Sequence, residues 1–393
     1  MAKKRILILN GSHSEIPLIE SAKSLNFHVI TTGNLPNLPG HRFADEYHSA
    51  DFSDEQKILE LAKELKIDAI CSCANDFGAI TAAYVAEKLN LPGHDSFEKT
   101  LLVHHKDLFK NYALDIDFPT PFAQGFDNKS NALSSEENFQ YPLIIKPVDL
   151  TGGKGISTIH KADGFSNAIE KAFSFSRAGR IVVEEFFIGT QHSFSAFIVN
   201  QSLVFHFSDN EYSFKNPYLV STSSAPSSNI DKFREQLVIV AEQFAKSLHL
   251  VDGVLHFQYL ASDDEFKIIE ITRRCSGDLY PLPVDFSSDV DWASWIVRAE
   301  SGLDCMGFPD TRQSGYCGRH CLMAASNGRL KSIQISDEIR NNIFKEYNWW
   351  KEGDLVENYL MQKFGVLLLK FSSLSEMQDK IDNIHQLVKV ELI

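Results

Sequence analysis

Two lysines, a run of glycines, adjacent glutamates and a pair of strands bearing oxygen side chains are the residues of this chain best suited to act together. They come in a fixed order. Lys106 is first, then Lys146 at the end of the apolar run YPLII (141–145), held by Pro147 and followed by Thr151, Gly152, Gly153, Lys154 and Gly155. VEEFFIG (183–189), HFQY (256–259) and EITRR (270–274) come after it. Lysine neutralises phosphate as a point charge on a flexible stem. Alone, a strand-end lysine reads as a solvated charge and a glycine run as an ordinary hairpin. Side by side they read as a flap whose backbone N–H groups meet phosphate oxygens while a cation waits at its base.

VEEFFIG suits adenine, which needs a backbone donor, a backbone acceptor and apolar walls. The other reading is an edge strand with solvated glutamates. In HFQYLASDDEFKIIEIT the turn signal SDD (262–264) places Gln258 opposite Glu270 on antiparallel strands, with Thr272 on the same face by the two-residue period. Glu270 lies among Ile268, Ile269 and Ile271, where a carboxylate requires a cation. Magnesium accepts such an oxygen trio and keeps phosphate oxygens in its shell; a salt bridge to Arg273 or Arg274 is the alternative.

These residues need a scaffold, and 393 residues suffice for two or three cores. RILILNG (5–11), a helix from Glu15, HVITTG (28–33), a helix opened by the capping-box pattern at Ser53, DAICSC (68–73) and a helix to about Leu89 alternate as a parallel α/β sheet does. Gly11 is followed by SHSE, so no dinucleotide fingerprint is present. From 94 the pattern changes to a helix carrying HHKDLFK, then strands, then an amphipathic helix at 230–248. The expected division is 1–93, 94–307 with a flap-bearing part at 143–190, and a small α+β domain at 308–393. The Ser-rich stretch 218–229 reads as a mobile substrate loop, with Lys215 nearby as either a substrate contact or a solvated lysine. His13 and His256 read either way.

A net charge of −14 argues against a nucleic-acid partner. The apolar run after MAKKR is too short for a signal peptide and no stretch approaches a membrane span, so the expected location is cytoplasmic. The six cysteines lack zinc-site spacing and read as reduced thiols, with Cys275 notable for its place beside Arg274.

The ordered segments resemble the ATP-grasp superfamily, in the branch of biotin carboxylase, carbamoyl phosphate synthetase and the amino acid ligases. The resemblance implies an ATP-grasp fold with a leading parallel-sheet domain and a small carboxy-terminal α+β domain. It implies that Lys106 and Lys146 contact the phosphates, that Thr151–Gly155 cover them, and that Glu185 and Phe187 offer main-chain atoms to adenine beside Glu184. Gln191 stands where the family holds the ribose with glutamate. Gln258, Glu270 and Thr272 stand as metal ligands, Thr272 in place of the usual asparagine, and Arg274 as the arginine that steadies the reacting carboxylate. The expected function is an ATP-dependent carboxylate–amine ligase using magnesium or manganese and releasing ADP and phosphate. Bicarbonate activation and a nucleotide-binding module without turnover are the alternatives. Expected partners are a small carboxylic acid and an amine, with no membrane; a homodimer is left open.

Overall fold

The computed structural model describes residues 3–150 and 152–393. Strands β1 (Arg5–Leu9), β2 (His28–Gly33), β3 (Glu46–Ser49) and β4 (Ala69–Cys71) form a parallel sheet in the order β3-β2-β1-β4. Ile6 to Leu9 are fully buried, as expected of a strand covered by helices on both faces. The helix Glu55–Leu65 starts one residue later than the Ser53 pattern predicts. Asp54 is the cap, accepting from the Lys57 amide, because the Ser53 amide and hydroxyl are both taken by Asp51.

The helix expected around HHKDLFK is two helices, Phe97–His104 and Lys106–Asp115, broken by the extended backbone of His105. The break places Lys106 in a first turn, where its amide donates to Val148 O at 3.2 Å. Phe109, on the adjoining face of that helix, packs edge-on against Phe118 and Phe244. The lysine-bearing face is thereby fixed toward the interior.

Strands β5 (Ala123–Phe126), β6 (Leu143–Pro147), β7 (Ser157–Ile159) and β8 (Ile181–Glu185) make an antiparallel sheet, β5-β8-β6-β7. The glycine segment joins β6 to β7. Strands β9 (Thr190–Val199), β10 (Ser202–Tyr212), β11 (Thr222–Ala225), β12 (Gly253–Ala261) and β13 (Phe266–Thr272) follow. The last six are β14 (Tyr316–Leu322), β15 (Gly328–Ile335), β16 (Ile343–Asn348), β17 (Leu355–Val356), β18 (Gly365–Phe371) and β19 (Val388–Leu392). The largest sheet has eight strands, β13-β12-β9-β10-β11-β14-β18-β16, and the strands after residue 307 continue it through β11–β14. A small sheet, β17-β15-β19, lies beside its end.

The Ser-rich stretch is in part a buried strand rather than a mobile loop. Residues 222–225 are β11, at the centre of the large sheet, and Thr222 to Ala225 are buried. Ladder pairing on both sides satisfies the backbone, and Asn210 Nδ2 donates to Ser224, so small polar side chains are tolerated inside. Among the described residues no helix is long and apolar enough to cross a membrane.

Candidate functional site

The oxygen-bearing pair rests on strand register. β12 and β13 are antiparallel with Gln258 opposite Glu270 and His256 opposite Thr272. Between them the register shifts: Tyr259 pairs with Ile268, so Ile269 is an extra residue. That bulge delivers the Gln258–Glu270 pairing. The row runs on to Ser193 on β9 and Asp209 on β10. Thr272 Oγ1 is buried and has no hydrogen-bond partner among the described residues.

The cation facing Glu270 is Lys106, with Nζ 3.1 Å from Oε1. Burial opposes the Lys106 charge, yet Glu270 and Asp76 hold its pKa above the ordinary lysine value. Neither arginine read as the alternative partner reaches Glu270. Arg273 pairs with Asp95 at 2.9 Å and Arg274 with Asp76 at 2.6 Å. Burial would raise Asp76, but Arg274 and His104 outweigh it and hold the carboxylate far below its usual range.

The second cation cluster contains a residue that sequence reasoning missed. Lys110 lies one helical turn after Lys106, on the same face, and its Nζ is 3.0 Å from Glu184 Oε2. Lys146 Nζ is 3.4 Å from Glu184 Oε1. Glu184, expected beside adenine, is 2% exposed and bridges two ammonium groups. The strand period explains this: Glu184 and Glu185 point to opposite faces of β8. Burial works against the Glu184 charge, but Lys110 and Lys146 hold its pKa below normal. Burial pushes Lys110 down to about 8. The spacing of four between Lys106 and Lys110 was the available signal.

A cavity of about 720 Å3 lies between the small and the large antiparallel sheets. Of the residues singled out from sequence, Lys106, Lys146, Gly152, Gly153, Lys154, Glu184, Phe187, Gln191, Gln258, Glu270, Thr272 and Arg274 line it. Gly155 and Glu185 do not line it, and Thr151 lies outside the described residues. Gly155 instead packs at the flap base, where an added Cβ would sit 2.7 Å from Pro147. The Glu185 amide donates to Phe122 O and its carboxylate accepts from the Gln140 amide on the outer side.

Gly152 and Gly153 have φ of 69° and 77°, a region costly to other residues. A Cβ on Gly152 would meet Met361 Cε at 2.7 Å, and one on Gly153 would meet Tyr218 Cβ at 2.6 Å. The flap therefore lies against the 217–220 loop and the carboxy-terminal region, and Thr158 Oγ1 reaches the Tyr218 hydroxyl at 2.9 Å. Lys215 lines a separate cavity of about 310 Å3 with His320 and His385.

The cavity end around Arg274 draws on three distant segments. Arg319 of β14 donates from Nη1 to Gly277 O at 2.7 Å, and Lys363 pairs with Asp278 at 2.5 Å. His13 sits 3.6 Å from Asp278 and stacks on Trp349, while His256 bonds Ser195. Burial, with Arg274 and Arg319 nearby, pushes His256 down to about 3, so it is neutral. Cys275 is buried and burial raises its thiol pKa strongly, which leaves it unreactive. On the floor Glu211 lines the cavity, and burial followed by its neighbour Asp209 pushes its carboxyl up to about 8. Glu211, Arg319 and Lys363 carry no local motif, since each is defined by a partner far away in sequence.

Residues 105–279 match the family described as carbamoyl-phosphate synthase L chain, ATP binding domain. The chain is similar to formate-dependent phosphoribosylglycinamide formyltransferase of Rhodococcus jostii (strain RHA1), at 25% identity over 185 residues and 46% of each chain. It therefore matches about half the length of that curated relative. In fold it is similar to L-amino acid ligase from Bacillus licheniformis, with a TM-score of 0.81 at 17% identity over 100% of both chains. A second likeness is to the biotin carboxylase domain of the Hydrogenobacter thermophilus 2-oxoglutarate carboxylase, solved with MgADP, ADP and bicarbonate. There the TM-score is 0.78 at 17% identity, over 100% of this chain and 91% of that one. At such identities the structural likeness is one of fold.

Proposed function

The chain carries the ATP-grasp fold, and from that premise we propose that it is an ATP-dependent ligase joining a small carboxylic acid to an amine. One observation carries the reading. A single cavity unites Lys106, Lys146 and the glycine flap with the row Gln258–Glu270 and the unpartnered hydroxyl of Thr272.

A carboxylate oxygen attacks the γ-phosphorus of ATP, ADP leaves, and an acyl phosphate forms. The amine nitrogen then attacks the acyl carbon, phosphate departs and the amide bond closes. Such transfers need positioning and charge neutralisation more than covalent help. Lys106 and Lys146 neutralise the phosphates, with Lys110 backing Lys146 through Glu184. Phe186 and Phe187 wall the adenine, and Gln191 holds the ribose. Arg274, fixed by Asp76, steadies the acid and its phosphorylated form. The flap excludes water, which would otherwise hydrolyse the acyl phosphate. Gln258, Glu270 and Thr272 would hold magnesium, or manganese in its place, whose contribution is further neutralisation of the phosphate oxygens. The buried orphan hydroxyl of Thr272 supports that fit.

Product analysis with panels of acids and amines tests the reading: ADP and phosphate are expected, and AMP with pyrophosphate would sink it. Phosphate release driven by bicarbonate alone would move the reading to bicarbonate activation.

A further inference from the structure

The floor of the cavity contains a carboxylate that the proposed chemistry leaves idle. Glu211 of β10 is 8% exposed, and a single one of its oxygens, Oε2, accepts from two side-chain amides: Gln191 Nε2 at 2.8 Å and Gln258 Nε2 at 2.8 Å. The amides come from different strands, β9 and β12, and both line the cavity. A primary amide is planar, so committing its nitrogen to one partner fixes the direction of its oxygen. With one N–H of each amide held by Glu211, the direction of each carbonyl oxygen is fixed, and that oxygen is each glutamine's one acceptor for a ligand.

We propose that Glu211 is a positioning residue that clamps Gln191 and Gln258 together, so that Gln191 presents its carbonyl oxygen to a sugar hydroxyl and Gln258 presents its own to the divalent cation. This rests on the reading of the site as one for magnesium and ATP. The clamp solves a specific difficulty. A glutamine carbonyl is a weaker cation ligand than a carboxylate, and a freely rotating amide would offer its N–H groups half the time. An acceptor oxygen held behind the amides removes the wrong orientation without adding a negative charge to the phosphate-facing surface. Partners standing behind a metal ligand in this way typically account for ~10–100-fold in metal affinity.

The experiment is calorimetric titration of ATP into the full chain across a magnesium series, with variants chosen to move the charge. Glu211→Gln should raise the magnesium concentration for half-saturation by ~10-fold or more, because its side-chain amide can turn N–H donors toward Gln191 and Gln258 and no longer fixes them. The exchanged variant Glu211→Gln with Gln258→Glu places a carboxylate on the cation side and an amide behind it, and should recover magnesium dependence close to the parent's. A merely structural role predicts no recovery. Glu211→Asp keeps the carboxyl and withdraws its oxygen by one methylene, so it should weaken magnesium dependence even though the group is preserved. Parent-like magnesium dependence in Glu211→Gln or Glu211→Asp, or an exchanged variant no better than Glu211→Gln, overturns the clamp. Absence of magnesium-dependent ATP binding in the parent overturns the reading of the site itself, which keeps the two failures apart.

Discussion

The two antiparallel sheets that enclose the cavity divide the charge between them. The small sheet, with the helix packed on it, brings Lys110 and Lys146 against one buried carboxylate, Glu184, and Lys154 lines the same cavity. The large sheet carries Asp209, Glu211 and Glu270, and Lys106, from the same helix as Lys110, pairs with Glu270. Ammonium groups thus sit on the side that carries the glycine flap, and carboxylates on a floor fixed by strand register. The difference teaches why the two sides are built differently. Cations that grip a leaving nucleotide tolerate a hinge, whereas oxygen ligands for a cation need positions held to a fraction of an ångström. The proposed ATP and magnesium would lie where the two signs meet.

That contrast can be broken at four points. The largest effect is expected from Arg274→Lys, which keeps the charge beside Asp76 but loses the planar fork. Phosphate release in a coupled assay should fall on the order of 100-fold or more while the thermal midpoint holds. Glu184→Gln should then cost about 3 to 5 kcal/mol in urea unfolding, because it leaves two buried ammonium groups without their carboxylate. An unchanged midpoint would show that the lysines find other partners.

The third test uses pH. The folded-state value of Lys110 is about 8 against 10.5 for an unperturbed lysine, so between those values the unfolded chain binds more protons. Stability should therefore rise with pH across that window, by up to about 3 kcal/mol. Denaturation at successive pH values should show the rise in the parent and a flatter profile in Lys110→Met. The smallest effect is Gly153→Ala, where the positive φ costs about 1–2 kcal/mol and the new methyl meets Tyr218. It should raise the KM for ATP with little change in kcat, and an unaffected KM would separate the flap from nucleotide binding.

Reading from sequence worked where a residue and its partner are close along the chain. The parallel sheet followed from apolar runs alternating with amphipathic ones. Gln258 and Glu270 were paired from a hairpin only a few residues long, although the actual turn is tighter than assumed and the Ile269 bulge makes up the difference. The glycine flap announced itself by composition. Misreadings arose where composition and environment part company. Residues 222–225 are serine-rich yet form a buried central strand, because ladder partners from β10 and β14 take up their backbone groups.

The order of motifs, the alternation of elements and the place of Lys146 at a strand end beside the glycine segment were determined by the sequence alone, since they depend on local periodicity and on what each side chain can do. The pairing of Arg274 with Asp76, the sharing of Glu184 between Lys110 and Lys146, and the meeting of Glu211 with Gln191 and Gln258 were decided only by the tertiary structure. Each joins groups that are from 20 to 198 residues apart. Buried charge must find a partner, but nothing local in the chain says which one.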